Sequence, residues 1–181
     1  MTTKSNTIRP SQEERPKQEK VKEEVLDSVR QEIASRVKEG DEISSREFIL
    51  NHLTFDMTKD GKLVGWAHSH GMHELFGLPD LEVRDITPRF LLPAAGILIN
   101  EVAQYMIDAK YERNDAKPLR PGETIALQGL GVIVKCQESK PYHPDDKDET
   151  ETHFQFPRWE IVEEQASFKC ARCESGEEHV H

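Results

Sequence analysis

Cysteine is scarce in this chain. Cys136, Cys170 and Cys173 are the whole complement, too few for the disulfide framework that holds small secreted domains together. Long apolar runs are missing as well. Nothing approaches the roughly eighteen consecutive apolar residues that a membrane-spanning helix needs, and the N-terminus has no apolar stretch of the signal-peptide type. These absences point to a cytoplasmic protein that does not enter a membrane. Positive charge is in deficit: 24 Lys and Arg stand against 34 Asp and Glu, a formal net charge of −10. Binding to nucleic acid depends on neutralising phosphates with Lys and Arg, so a nucleic-acid partner is disfavoured. There is no Gly-rich phosphate loop, no Gly-x-Ser-x-Gly nucleophile elbow and no internal repeat.

What remains is a polar chain of 181 residues, a length that suits one domain. The polarity is uneven. Residues 1–20 hold almost no apolar side chains and are rich in Lys, Glu, Gln and Pro. They cannot bury enough surface to offset the entropy of ordering, which predicts a disordered arm. Residues 21–168 are long enough for a core, and 169–181 form a tail.

From Val21 the apolar positions Val25, Leu26, Val29, Ile33 and Val37 make one helical stripe, closed by Gly40. Phe48 to Met57 alternates, and Leu63 to His70 reads as a second strand. Asp60-Gly61 between them is a hairpin signal. Leu81 to Ile86 suits a short strand. Pro93 suits the first turn of a helix running to about Lys110, with Ala95, Leu98, Val102, Tyr105, Met106 and Ala109 on its core side. Strands follow at Glu123–Gln128, Leu130–Gln137 and His153–Phe168, the last after an acidic loop. Cys136 falls in a strand and reads as core. The expected fold class is α+β: a mainly antiparallel sheet packed against one long central helix, with an additional N-terminal amphipathic helix.

The densest chemistry lies in Trp66-Ala-His-Ser-His-Gly-Met-His-Glu74. Side chains on a strand alternate between faces, so His68 and His70 project to one side and Ser69 to the other. Two such imidazoles can chelate a metal, zinc in particular, and His73 or Glu74 could close the site after a turn at Gly71. The bland alternative is a polar groove in which these histidines bond loop backbone. A second constellation is Cys170-x-x-Cys173 followed by His179 and His181. Cys-x-x-Cys is half of many zinc sites, but these histidines are closer together than in a zinc finger, so exposed tail residues are the competing reading.

His68-x-His70 with Glu74 four residues later resembles the first cupin motif, which would imply metal-dependent oxidoreductase chemistry. The flanking glycines and the second cupin motif are missing, and a helix after Pro93 does not belong in an all-β barrel. The string His68-Ser-His-Gly-Met, then Phe76-Gly-Leu-Pro-Asp-Leu-Glu82, then a helix with Asn100-Glu-Val-Ala, resembles bacterial domains of unknown function. In these a His-Ser/Thr-His/Arg-Gly segment precedes Phe-Gly-Leu-Pro-Asp/Glu. That resemblance implies no reaction, but it draws attention to one loop carrying His68, His70, Gly71, His73, Phe76, Gly77, Pro79, Asp80 and Glu82. Glycine and proline fix turns, so Gly71, Gly77 and Pro79 should hold that loop in a specific shape.

Two functions follow. Because no catalytic set is complete, the first is a non-catalytic accessory protein that presents this loop to a protein partner. The alternative is a metal-dependent enzyme, a hydrolase or a cupin-like oxidoreductase, working through His68, His70 and His73 or Glu74. The partner, the substrate and the oligomeric state are not specified by the sequence.

Overall fold

The computed structural model describes residues 15–57, 61–87, 91–141 and 155–164. Residues 1–14 of the expected arm and the 169–181 tail with its Cys-x-x-Cys and two histidines lie outside them. Among the described residues, four helices and six strands run in the order α1 (Arg15–Glu39), α2 (Ser45–Phe48), β1 (Leu50–Met57), β2 (Leu63–His70), α3 (Met72–Phe76), β3 (Asp80–Ile86), α4 (Leu92–Lys110), β4 (Thr124–Leu127), β5 (Val132–Glu138) and β6 (Arg158–Glu164). Residues 15–20, which composition placed in the arm, are the start of α1.

The strands form one sheet in the order β1-β2-β3-β6-β5-β4. This overturns the expected sheet. It is mixed, because β6 enters its middle parallel to β3, pairing Asp80 with Arg158 and Glu82 with Glu160. Two helices are long, rather than one central helix: α1 has 25 residues and α4 has 19. The reason is physical. Alternation of polar and apolar residues records that a strand has two faces. It does not record which distant strand lies beside it or in which direction.

Helix α4 packs on β1, β2 and β3. Gly65 permits the approach: a Cβ there would lie 2.9 Å from Leu92 Cδ1 and 3.2 Å from Ile86 Cβ. The buried residues of α4 include Ile99, Val102, Ala103, Met106 and Ile107, a wider stripe than the one expected. Its polar side is not simply solvated. Gln104 accepts from the Ser45 backbone N–H and donates to the Ile43 carbonyl, while Ser45 Oγ donates to the Asn100 carbonyl. These bonds fix α2 and the entry to β1. The C-terminal half of α1 reaches the core through Ile33, with Val29 and Val37 beside it; Val21 and Val25 are exposed. Cys136 is fully buried in β5, as expected, and burial pushes its thiol up to about 12. Among the described residues no helix is long and apolar enough to cross a membrane.

Candidate metal centre

The hairpin β1–β2 builds the site. Its register sets His52 directly across from His68. Asn51 and Leu53 on β1 turn toward α4, where Asn51 Nδ2 donates to the Gly96 carbonyl and Leu53 lies close to Gly96. His52 therefore projects from the opposite face, as do His68 and His70 on β2. One ring nitrogen from each of the three lies within 4.8 Å of the other two. Ring centroids are 5.1 Å apart for His52–His68, 4.8 Å for His68–His70 and 6.2 Å for His52–His70.

Metal–nitrogen bonds of 2.0–2.1 Å in a tetrahedron hold ligand nitrogens ~3.4 Å apart, so the cluster must close by roughly an ångström or more to grip an ion. The burial pattern allows that. His68 is 1% exposed and stacks on Trp66, ring centroids 4.1 Å apart. His52 is exposed and His70 half-buried, so their side-chain torsions can turn inward on the fixed imidazole. An ion held this way would have three neutral nitrogen ligands and a position open to water on the His52 side.

Trp66 is itself anchored. Its indole Nε1 donates to Glu82 Oε2 at 2.8 Å. Glu82, paired across the sheet from His68, is wholly buried. Its other oxygen accepts from Arg84 Nε at 2.7 Å, with Arg84 Nη2 at 2.6 Å. Arg158 Nη1 stands 3.9 Å from Oε2, and its guanidinium lies 5.9 Å from the Trp66 ring centre. Desolvation lowers the Arg158 pKa, against the opposing pull of Glu82 and Asp80. Glu82 is thus the anion at the centre of two guanidiniums and an indole, and it orients the ring on which His68 rests.

The other residues expected in the site go elsewhere. His73 and Glu74, the proposed third ligands, sit on α3, whose turn takes them off the strand face. His73 stacks on Phe156 at 4.4 Å; Glu74 pairs with Lys22 at 2.7 Å. Neither joins the histidine cluster, so Glu74 does not complete a cupin-like set. The segment treated as a presented loop is largely interior. Phe76 is a core residue packed edge-on to Phe48, and Asp80 and Glu82 are buried. Gly71 and Gly77 bracket α3 with φ of 103° and 63°. The C-terminal turn closes with Gly77 N–H bonded to the His73 carbonyl and Leu78 N–H to the Met72 carbonyl, a Schellman arrangement; Pro79 then leads into β3.

Gly71 is under a double constraint, since an added Cβ would also meet the Phe48 carbonyl oxygen at 3.1 Å. We expect Gly71→Ala to lower stability by about 1–3 kcal/mol in urea denaturation. A loss below half of that would mean the turn relaxes freely.

Asp80 supplies a pH signature. Its Oδ1 accepts from the Met72 N–H at 3.1 Å and lies 3.4 Å from Ser69 Oγ, while Ser69 Oγ accepts from the Leu81 N–H. Ser69 is therefore structural, facing away from the two histidines that flank it. Burial raises the Asp80 carboxyl from 3.8 to about 6, against the opposing pull of Arg158. A carboxyl raised in the folded state favours folding while protonated. Its contribution is complete below the unfolded value and is lost as pH rises through about 6. Between pH 4 and 7 the wild type should lose about 2–3 kcal/mol relative to Asp80→Asn, which keeps the acceptor oxygen and cannot ionise. Urea midpoints at several pH values measure this; parallel profiles would refute it.

Sequence reading missed His52, Arg84 and Arg158, and it named Trp66 without giving it a role. For His52 the signal is ambiguous: a two-residue turn at 60–61 would pair residue 52 with residue 69, and the observed pairing of Met57 with Leu63 is what sets it opposite His68. Comparison of the chain with protein-family models, with characterised proteins and with solved structures finds no match.

Proposed function

We propose that this chain is a metal-dependent protein in which His52, His68 and His70 hold one divalent transition-metal ion, zinc foremost, with a coordination position left open. The observation that carries the reading is the convergence of three imidazoles from two adjacent strands on the sheet face that α4 does not cover. Imidazole suits zinc, copper and nickel, and availability favours zinc. Three protein ligands with an open fourth position are the arrangement of catalytic rather than structural zinc. Such an ion lowers the pKa of a bound water toward neutrality and polarises an oxygen of the substrate. Hydrolysis or hydration by an activated water is the reaction class that follows. The sequence favoured a non-catalytic accessory role because no ligand set could be completed; His52 supplies the missing member.

The test is elemental analysis of the untagged protein, prepared without added metal and carrying Cys170→Ser, Cys173→Ser, His179→Ala and His181→Ala so that these four tail residues contribute nothing. One equivalent of metal is expected, lost in His68→Ala and in His52→Ala and kept in His73→Ala. A folded protein that holds no metal and takes up no zinc on titration would end the proposal.

A further inference from the structure

A buried carboxyl faces a cavity beside the histidine cluster, and the metal alone does not explain it. The cavity is polar, measures about 340 Å³ and is lined by His70, Asp80, Arg158, Lys22, Glu74 and Phe156, among others. Its volume is at the lower end of the range for small-molecule sites. Elements distant in the chain meet there because β6 inserts next to β3. His70 belongs to both the cavity and the cluster, so an ion on the histidines would sit at the cavity wall.

Asp80 opens β3 and is 4% exposed. Both of its hydrogen bonds converge on one oxygen: Oδ1 accepts from the Met72 N–H at 3.1 Å and from the Ser69 hydroxyl at 3.4 Å. These bonds fix the carboxyl and leave Oδ2 without a bonded partner among the described residues. In the antiparallel pairing of β2 with β3, His68 stands opposite Glu82. Two residues further along each strand are His70 and Asp80, which alternation puts on the same face. The other ionisable groups facing Asp80 are Arg158 from β6, Glu74 from α3 and Lys22 from α1. Lys22 and Glu74 pair with one another at the rim. A water takes up ~30 Å³, so a cavity of this size has room for several. A proton leaving the ion's water therefore reaches Oδ2 directly or through one of them.

We infer that Asp80 is the general base of the three-histidine centre, taking through Oδ2 the proton of the water that attacks the substrate. In ester hydrolysis one O–H bond of that water breaks and its proton passes to Asp80, while its oxygen bonds to the carbonyl carbon. The bond from that carbon to the alcohol oxygen then breaks. The alcohol oxygen leaves with the electron pair and takes the proton back from Asp80. The inference rests on the metal reading above and adds to it the residue that moves the proton. Burial supports the role: it raises the carboxyl from 3.8 to about 6, against the pull of Arg158. A base works best with a pKa near the working pH, where it is ionised and still binds a proton.

Hydrolysis of p-nitrophenyl acetate by the zinc-loaded full chain, followed from mildly acidic to mildly alkaline pH, tests it. In the wild type kcat/KM should rise as pH passes through about 6 and Asp80 ionises. Asp80→Asn keeps the Oδ1 acceptor and is the variant expected above to be the more stable at neutral pH. It should keep one zinc per chain, lose that rise and fall by roughly a hundredfold at neutral pH. Added lutidine, a base too hindered to ligate zinc well, should restore part of the loss, which a purely structural role for Asp80 would not allow. Glu74→Gln, at the rim, should keep the rise and so separates the two carboxyls of the cavity. An Asp80→Asn chain that matches the wild type, a loss that lutidine does not restore, or zinc uptake with no hydrolysis above that of free zinc would overturn the inference and leave the metal site standing. A chain that binds no zinc would remove the metal reading itself.

Discussion

Glu82→Ala should destabilise the folded protein by about 3–5 kcal/mol, the loss found when one partner of a buried ion pair is removed and the other is left charged. Glu82 has no exposed surface, and the side chains of Arg84 and Arg158 are 9% and 4% exposed. With alanine at 82, two buried guanidiniums would face one another across the gap, and the Trp66 indole N–H would lose its acceptor. Equilibrium urea denaturation measures the change. Glu82→Gln is the informative control, because an amide oxygen can still accept from Trp66 while the negative charge is gone. It should lie between alanine and wild type. A cost below about 1 kcal/mol for alanine would mean that water solvates these arginines as it solvates surface pairs. The same substitution bears on the site. Trp66 is the platform under His68, so residual folded Glu82→Gln should bind zinc more weakly than wild type even though no ligand has changed, in line with the tenfold or larger losses seen when the groups that orient metal ligands are altered.

Zinc itself should raise the melting temperature. An ion that binds only the folded state, present at a hundred times its dissociation constant, contributes about 2.7 kcal/mol, or roughly 5–10 °C for a chain of this size. The gain should vanish in His68→Ala and be strongly reduced in His52→Ala. Location matters as much as size here. Among the described strands β1 is the outermost on its side of the sheet, and edge strands open more readily than central ones. His52 on β1 and His68 and His70 on β2 would be joined through the ion, which would staple the edge to its neighbour. Amide exchange in β1 should slow on adding zinc, while exchange in β4 at the other edge should not change. Uniform protection at both edges would indicate general stabilisation without a bridge at the histidines; no protection at all would count against the site.

The two long helices show how far local sequence reaches. The α4 stripe and its proline start are periodic signals of one element, and the helix runs from Leu92 to Lys110 close to where they put it. The stripe was read too narrowly because α4 is covered on two sides, by the sheet and by α2, and the polar residues Asn100 and Gln104 serve as a clamp. Helix α3 was not expected. Five residues between two left-handed glycines carry too little periodicity to announce a helix, yet that one turn is what removes His73 and Glu74 from the strand face.

For this protein, the sequence by itself determined the elements whose causes are local: the acidic, cysteine-poor composition, helices α1 and α4, the pairing of β1 with β2, and the shared face of His68 and His70. It did not determine the face of His52: a two-residue turn at 60–61 would pair residue 52 with residue 69, one residue away from the observed pairing of His52 with His68. Only the tertiary structure decided that β6 lies parallel to β3. That pairing joins residues far apart in the chain, through backbone bonds that no side-chain pattern encodes. Arg158 on β6 owes its place beside Glu82 and Asp80 to it, and so does the cavity against His70.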